Sequence, residues 1–136
     1  MNAVVDTNVV AYYLLGTEPF AAETREFWQA IEQPIAPAHW QAELASVLWM
    51  AIRTGAIPAD EGHRRLDFAS RLRIRPLPVG SLWQAALALS LRSGVSPYDT
   101  LFVALAQSHD LPLATFDKRV LKAFPDVAVR PTDLAV

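Results

Sequence analysis

Apolar positions fall into short runs and helical stripes that alternate along the chain. Ala3-Val4-Val5 is an apolar run stopped by Asp6, the pattern of a strand covered on both faces. Asn8–Leu15 reads as a first helix ended by Gly16, and Pro19–Gln33 as a second with Phe20, Phe27, Trp28 and Ile31 on its apolar face. Pro34–Pro37 reads as a short extended link. His39–Thr54 is a helix closed by Gly55, at the position that favours a left-handed residue. Pro58–Leu72 follows as a helix, with Pro58 near its first turn. Ile74–Val79 is extended, and its prolines at 76 and 78 suit an edge strand. Ser81–Ser93, capped by Ser81, and Ser96–His109 are helices. Leu111–Thr115 reads as a strand, Lys118–Phe124 as a short helix and Val127–Arg130 as a last strand. The alternation predicts an α/β fold, a parallel β-sheet flanked by α-helices on both faces. Ligands of such sheets bind beyond the carboxyl ends of the strands.

Composition narrows this picture. The 136 residues are 52% apolar, which suits one domain over 1–136 with a real core. The absence of cysteine removes disulfides, thiol nucleophiles and thiolate-bound zinc, and points to the cytoplasm. No secretory leader or membrane span is expected from the apolar runs. A net charge of −2 argues against a globally basic nucleic-acid binder. It leaves open a cluster of carboxylates whose charge a cation offsets.

Four acids bear on that second possibility. Asp6 follows the first strand, and Asp117 follows Leu111–Thr115. Each also precedes a helix that it could cap. Glu43 lies on the flank of the stripe Trp40, Leu44, Val47, Leu48 and Ala51, where an uncompensated carboxylate is costly. Asp99 stands in Ser96-Pro97-Tyr98-Asp99, close to a capping box. Taken singly, each has a structural explanation. Together they lie near one predicted sheet edge, with no cysteine and no metal-ligand spacing among His39, His63 and His109. An all-oxygen site selects a hard cation, Mg²⁺ or Mn²⁺ rather than Zn²⁺. Mg²⁺ keeps several waters, which suits phosphodiester hydrolysis. Spacing by itself leads only to a possible metal site.

Four segments carry a resemblance. They are Val4-Val5-Asp6-Thr7-Asn8-Val9, Ala42-Glu43-Leu44-Ala45-Ser46-Val47-Leu48, the run from Ser96 to Ala106 beginning Ser96-Pro97-Tyr98-Asp99-Thr100, and Leu113-Ala114-Thr115-Phe116-Asp117-Lys118-Arg119-Val120-Leu121. In this order and spacing the chain resembles a PIN-domain protein, and within that family the VapC toxins of type II toxin–antitoxin pairs. The resemblance implies an Mg²⁺-dependent endoribonuclease, with Mn²⁺ able to substitute, that cuts single-stranded RNA and is neutralised by a VapB-like antitoxin. Asp6, Glu43 and Asp99 match the family's core acids, and Asp117 a less strict fourth. Thr7, Asn8 and Thr115 match supporting polar positions. Phe116 departs from family members that carry Asn there, which bears on the role of Asp117.

Lys118, Arg119 and Lys122 begin beside Asp117 and are the better candidates for RNA phosphate; Arg64, Arg65, Arg71, Arg73 and Arg75 read more simply as a solvated face. His39 and Arg92 have no assigned role. The second and third helices carry more apolar residues than one stripe needs. Trp28, Trp40 and Trp49 are therefore the candidate antitoxin groove, and such proteins commonly pair as homodimers. Two alternatives remain: a PIN-domain RNA-processing nuclease without an antitoxin, and a non-catalytic binding module whose acids only cap helices. A haloacid-dehalogenase phosphatase would need a second Asp two residues after the first, where this chain has Asn8.

Overall fold

The computed structural model describes residues 1–134; the last two positions of the expected domain lie outside the described residues. Five strands form one parallel sheet: β1 (Asn2–Val5), β2 (Gln33–Pro37), β3 (Arg75–Leu77), β4 (Leu113–Ala114) and β5 (Ala128–Val129). Their order is β3-β2-β1-β4-β5. Val4 pairs with Ile35 on one side and Leu113 on the other, so β1 is the central strand. Ala3, Val4 and Val5 are all buried, because helices cover the sheet on both faces and leave no wet side. The chain first builds outward through β2 and β3, then returns to add β4 and β5 beyond β1. The direction therefore reverses between β1 and β4, and the carboxyl ends of those two strands flank a crevice.

The helices are α1 (Thr7–Leu15), α2 (Ala21–Ala30), α3 (Trp40–Arg53), α4 (Ala59–Ser70), α5 (Trp83–Ser93), α6 (Pro97–His109), α7 (Lys118–Ala123) and α8 (Pro131–Leu134). α6 lies across β1, β2 and β4 with α5 against it, whereas α1 packs with α2, α3 and α4. Thr100 locks α6 to α5: its buried hydroxyl donates to the Ala86 carbonyl at 2.8 Å and pairs with Ser90 Oγ at 2.8 Å. Gly16 and Gly55 end or follow their helices at φ 60° and 80°, as their positions predict.

Several expectations need correction. The second helix stops at Ala30 rather than Gln33, because Ile31 is already extended. The Pro34–Pro37 link is strand β2, paired on both sides. Its prolines sit near the two ends, and the inner residues Ile35 and Ala36 keep their N–H groups for pairing. Ser81 does not cap the fifth helix, whose cap position is Leu82. Helix α8 gave no sequence signal.

The tryptophan groove is revised most. α2 and α3 do not form one apolar trough; α1 packs against each of them. Trp40 is 4% exposed and joins Leu44 and Leu48 in the core, because it opens the buried stripe of α3. Trp28 donates its indole N–H to the Val9 carbonyl at 3.3 Å and packs on Tyr13 and Phe27. Trp49 is 55% exposed and lies under the Arg53 guanidinium.

Candidate active site

Asp6 leaves the end of β1 and occupies the cap position of α1, yet its carboxylate makes no side-chain capping bond. Instead it is 6% exposed and takes the Thr115 hydroxyl on Oδ2 at 2.8 Å, with Asn8 Nδ2 at 3.5 Å. Thr115 is fully buried at the end of β4, so this bond spans the crevice between the two strands. The same Thr115 oxygen accepts the Asp117 N–H at 3.0 Å and Asn8 Nδ2 at 3.3 Å. Asn8 Oδ1 accepts the Phe116 N–H at 3.2 Å. The loop after β4 is thus fastened to the loop after β1 by polar side chains that the sequence places at both strand ends.

Glu43 enters from the first turn of α3 and accepts the Thr7 hydroxyl on Oε1 at 2.8 Å. Asp99 enters from the first turn of α6. The expected capping box does not close there: Ser96 is the cap residue, but its hydroxyl reaches Asp99 Oδ2 at 3.4 Å and makes no capping bond. Asp117 does cap. Its Oδ1 accepts the backbone N–H of Arg119 at 2.9 Å and of Val120 at 3.4 Å, which starts α7.

The electrostatics tie these acids into one group. Burial pushes the Asp6 carboxyl up to about 7; the Thr115 hydrogen bond opposes this, and the charges of Asp99 and Glu43 add to it. Glu43 is raised by burial and by Asp99, against the Thr7 hydrogen bond and His39. Asp99 is raised by burial and by Asp117, against Ser96, Arg119 and His39. Like charges held this close call for a compensating cation. The donor set is carboxylate and hydroxyl oxygen, which fits a hard divalent ion. Among the described residues, no three His, Asp or Glu side chains are gathered tightly enough to hold an ion as they stand. The acids face one another at Coulombic range, short of ligand range.

Phe116 stands between Thr115 and Asp117. Its ring is buried and turned into a cluster with Tyr12 at 5.3 Å and Phe20 at 4.8 Å, with the Arg130 guanidinium 4.8 Å away. Only its backbone N–H serves the site.

His39 was missed. Its Nε2 lies 3.9 Å from Glu43 Oε1 and 3.0 Å from the Tyr98 carbonyl. A carbonyl only accepts, so Nε2 carries the hydrogen in that contact. The available signal was its position four residues before Glu43, which places both on one helix face.

The outer cations sit in two places. Arg64 and Arg71 pair with Asp60, Glu61 and Asp67 on a solvated face, whereas Arg65 pairs with Glu61 and also donates to the Leu14 carbonyl of α1. Lys118, Arg119 and Lys122 are exposed on α7, with Arg119 held to the Gly94 carbonyl at 2.9 Å.

Comparison with known proteins gives the family and the fold. Residues 3–128 match the PIN domain family. The chain is 30% identical over 130 residues to Ribonuclease VapC3 of Pyrobaculum aerophilum, covering 92% of this chain and 96% of that one. It is 33% identical over 90 residues to Ribonuclease VapC3 of Mycobacterium tuberculosis, covering 66% of this chain and 64% of that one. Among solved structures, FitAcB from Neisseria gonorrhoeae superposes with a TM-score of 0.69 at 21% identity, covering 96% and 98% of the two chains. A toxin–antitoxin complex from Klebsiella pneumoniae gives 0.63 at 21% identity, covering 95% and 97%. The chain belongs to the PIN domain family. PIN-domain ribonucleases generally depend on a divalent metal ion.

Proposed function

We propose that this protein is an Mg²⁺-dependent endoribonuclease, with Mn²⁺ able to substitute, and the toxin of a toxin–antitoxin pair. The observation that carries the nuclease reading is the meeting of Asp6, Glu43 and Asp99 at the crevice between β1 and β4, close enough that the charges of Asp99 and Glu43 raise Asp6 and that of Asp99 raises Glu43. Asp6 and Asp99 are the direct metal ligands in this reading, Glu43 ligates or positions water, and Asp117 adds a fourth carboxylate. The cation supplies Lewis acidity and an acidified water for phosphodiester hydrolysis. The chain's own part is to hold the oxygens ready: Thr115 and Asn8 fix Asp6, and Thr7 fixes Glu43. No side chain is needed as a nucleophile. The binding module whose acids only cap helices is disfavoured, because only Asp117 makes a side-chain capping bond among the four.

Lys118, Arg119 and Lys122 stand beside the acids and serve RNA phosphate in this reading. The relatives' names and the Klebsiella pneumoniae toxin–antitoxin complex support a VapB-like antitoxin as partner and favour the toxin over an RNA-processing nuclease without one. Its site is an aromatic row that runs from Trp28 over Tyr13 to Phe68, with ring centroids 6.2 and 6.0 Å apart. A cleft of about 400 Å³ lies beside it between α1 and α4. Trp49 remains a second exposed anchor. The expected homodimer has the apolar ridge Trp83, Leu87 and Leu91 of α5 available to it, three exposed residues at four-residue spacing. No helix among the described residues is long and apolar enough to cross a membrane, and the cytoplasm stays the proposed compartment.

The test is cleavage of single-stranded RNA by the purified protein. Cleavage is expected with Mg²⁺ or Mn²⁺, and loss of it with a chelator. Metal-independent cleavage, or none under any divalent ion, overturns the reading.

A further inference from the structure

Arg92 received no role from the sequence, and the acids do not use it. The structure brings it beside α7. Arg92 and Ser93, at the end of α5, face Arg119, Lys122 and Ala123 across a cleft of about 470 Å³ floored by Val95. Arg92, Arg119 and Lys122 are all exposed, and no acid lines the cleft. Three cations from two helices thus converge with no carboxylate among them, unlike the internally paired arginines of α4. Cations gathered in a concave site repel one another and favour an anion, even though Arg119 also feels the charge of Asp99.

The cleft also has a fixed relation to the acids. The Arg119 backbone N–H is bonded to Asp117 Oδ1 at 2.9 Å, while its guanidinium donates to the Gly94 carbonyl at 2.9 Å. That second bond pins the side chain at the cleft and leaves further N–H donors in its fork for a ligand. Arg119 is therefore the shared wall between the acidic crevice and the basic cleft. Lys118 does not line the cleft.

We propose that Arg92, Arg119 and Lys122 form a second phosphate subsite, which holds a backbone phosphate of single-stranded RNA flanking the one at the acids. The inference rests on the nuclease reading and deepens it. The substrate must then carry a second phosphate on this side of the scissile one, and a dinucleotide is a poor substrate because its single phosphate lies at the acids.

The test compares the parent with Arg92→Gln/Lys122→Gln, using a 12-nucleotide oligouridylate and the dinucleotide UpU as probes. Binding of the 12-mer is followed by fluorescence anisotropy without divalent metal, across a range of salt. The double variant is expected to bind about tenfold more weakly at low salt. Its slope of log K against log salt should fall by about 0.7, the release expected when one phosphate of a single strand is no longer neutralised. In cleavage, KM for the 12-mer rises, and the parent's preference for the 12-mer over UpU shrinks. Arg92→Lys restores most of the binding, because the charge returns. An unchanged salt slope and KM overturn the subsite even if the parent cleaves RNA well. A parent that binds with the expected slope but cleaves no RNA under any metal ion sinks the nuclease reading alone. A variant that loses antitoxin affinity while keeping its RNA slope shows an acidic protein surface in the cleft, and also overturns the proposal. The single variants are run beside the double one, so a folding defect in one leaves the slope measurable in the other.

Discussion

The Thr115 hydroxyl donates to Asp6 Oδ2 at 2.8 Å, joining residues 109 apart in the chain, and the same oxygen accepts the Asp117 N–H at 3.0 Å. One buried oxygen therefore orients the most buried acid and starts the loop that carries the fourth. Thr115→Val keeps the shape but removes the donor and the acceptor. The Asp117 N–H and Asp6 then lose a partner in a part-buried place, at a cost of about 1–3 kcal/mol. We expect RNA cleavage to fall at least tenfold and the melting temperature to drop. Thr115→Ser should restore most of both. Equal activity of Val and parent would show that this bridge does not position the acids.

Asp6 makes metal-free stability fall with rising pH. Its folded pKa of about 7 stands above the ordinary 3.8, so between roughly pH 4 and 7 the folded protein holds a proton that the unfolded chain has lost. The stabilisation is fully present below about pH 4 and is lost as pH rises through about 7. Its size is on the order of a few kcal/mol. Thermal melts of the metal-free protein at pH 5 and 7.5, compared with Asp6→Asn, should show a pH dependence that the variant largely lacks. The variant should also be the more stable of the two at pH 7.5. Identical pH profiles would refute the ionisation account.

Metal binding should raise the melting temperature by mass action, since a cation relieves repulsion that exists only in the folded crevice. Mn²⁺ at millimolar concentration should stabilise the parent at pH 7.5, and should do so far less in Asp6→Asn. A parent whose melting temperature ignores Mn²⁺ contradicts a divalent site at these residues.

Asp99→Asn should abolish RNA cleavage and preserve the fold, because Asp99 makes no capping bond that the amide could lose. The check is cleavage at saturating Mg²⁺ beside a melting curve. Parent-like cleavage would remove Asp99 from the metal ligands.

Phe68→Ala should weaken antitoxin binding by about 2 kcal/mol, as truncation of an aromatic anchor does, while the free protein still cleaves RNA. Titration of the purified antitoxin measures it. If Trp49→Ala shows the loss and Phe68→Ala does not, the antitoxin lies over α3 and away from the aromatic row.

The sequence by itself determined most of the order of elements and nominated the four acids. Period and punctuation placed β1, α1, α3, β3 and α6 within a residue or two, because their apolar runs end at Asp6, Gly16, Gly55, prolines and Ser96. Local pattern misjudged β2, whose prolines read as a link until pairing on both sides showed otherwise. It could not place the tryptophans either: Trp40 and Trp49 share a helix, and only packing decides that one is core and the other surface. Cap position alone could not say which acids cap. Asp6 and Asp117 both precede helices, but Asp6 is drawn off by Thr115 from across the crevice, while Asp117 bonds its own helix. His39 carried a local signal in its spacing from Glu43, but its bond to the Tyr98 carbonyl of α6, like the placing of Arg92 beside the cations of α7, is supplied by another element. Local sequence sets what each segment becomes. Which charges must share one crevice is fixed by the reversal of strand order between β1 and β4, a contact between distant parts of the chain that no local window contains.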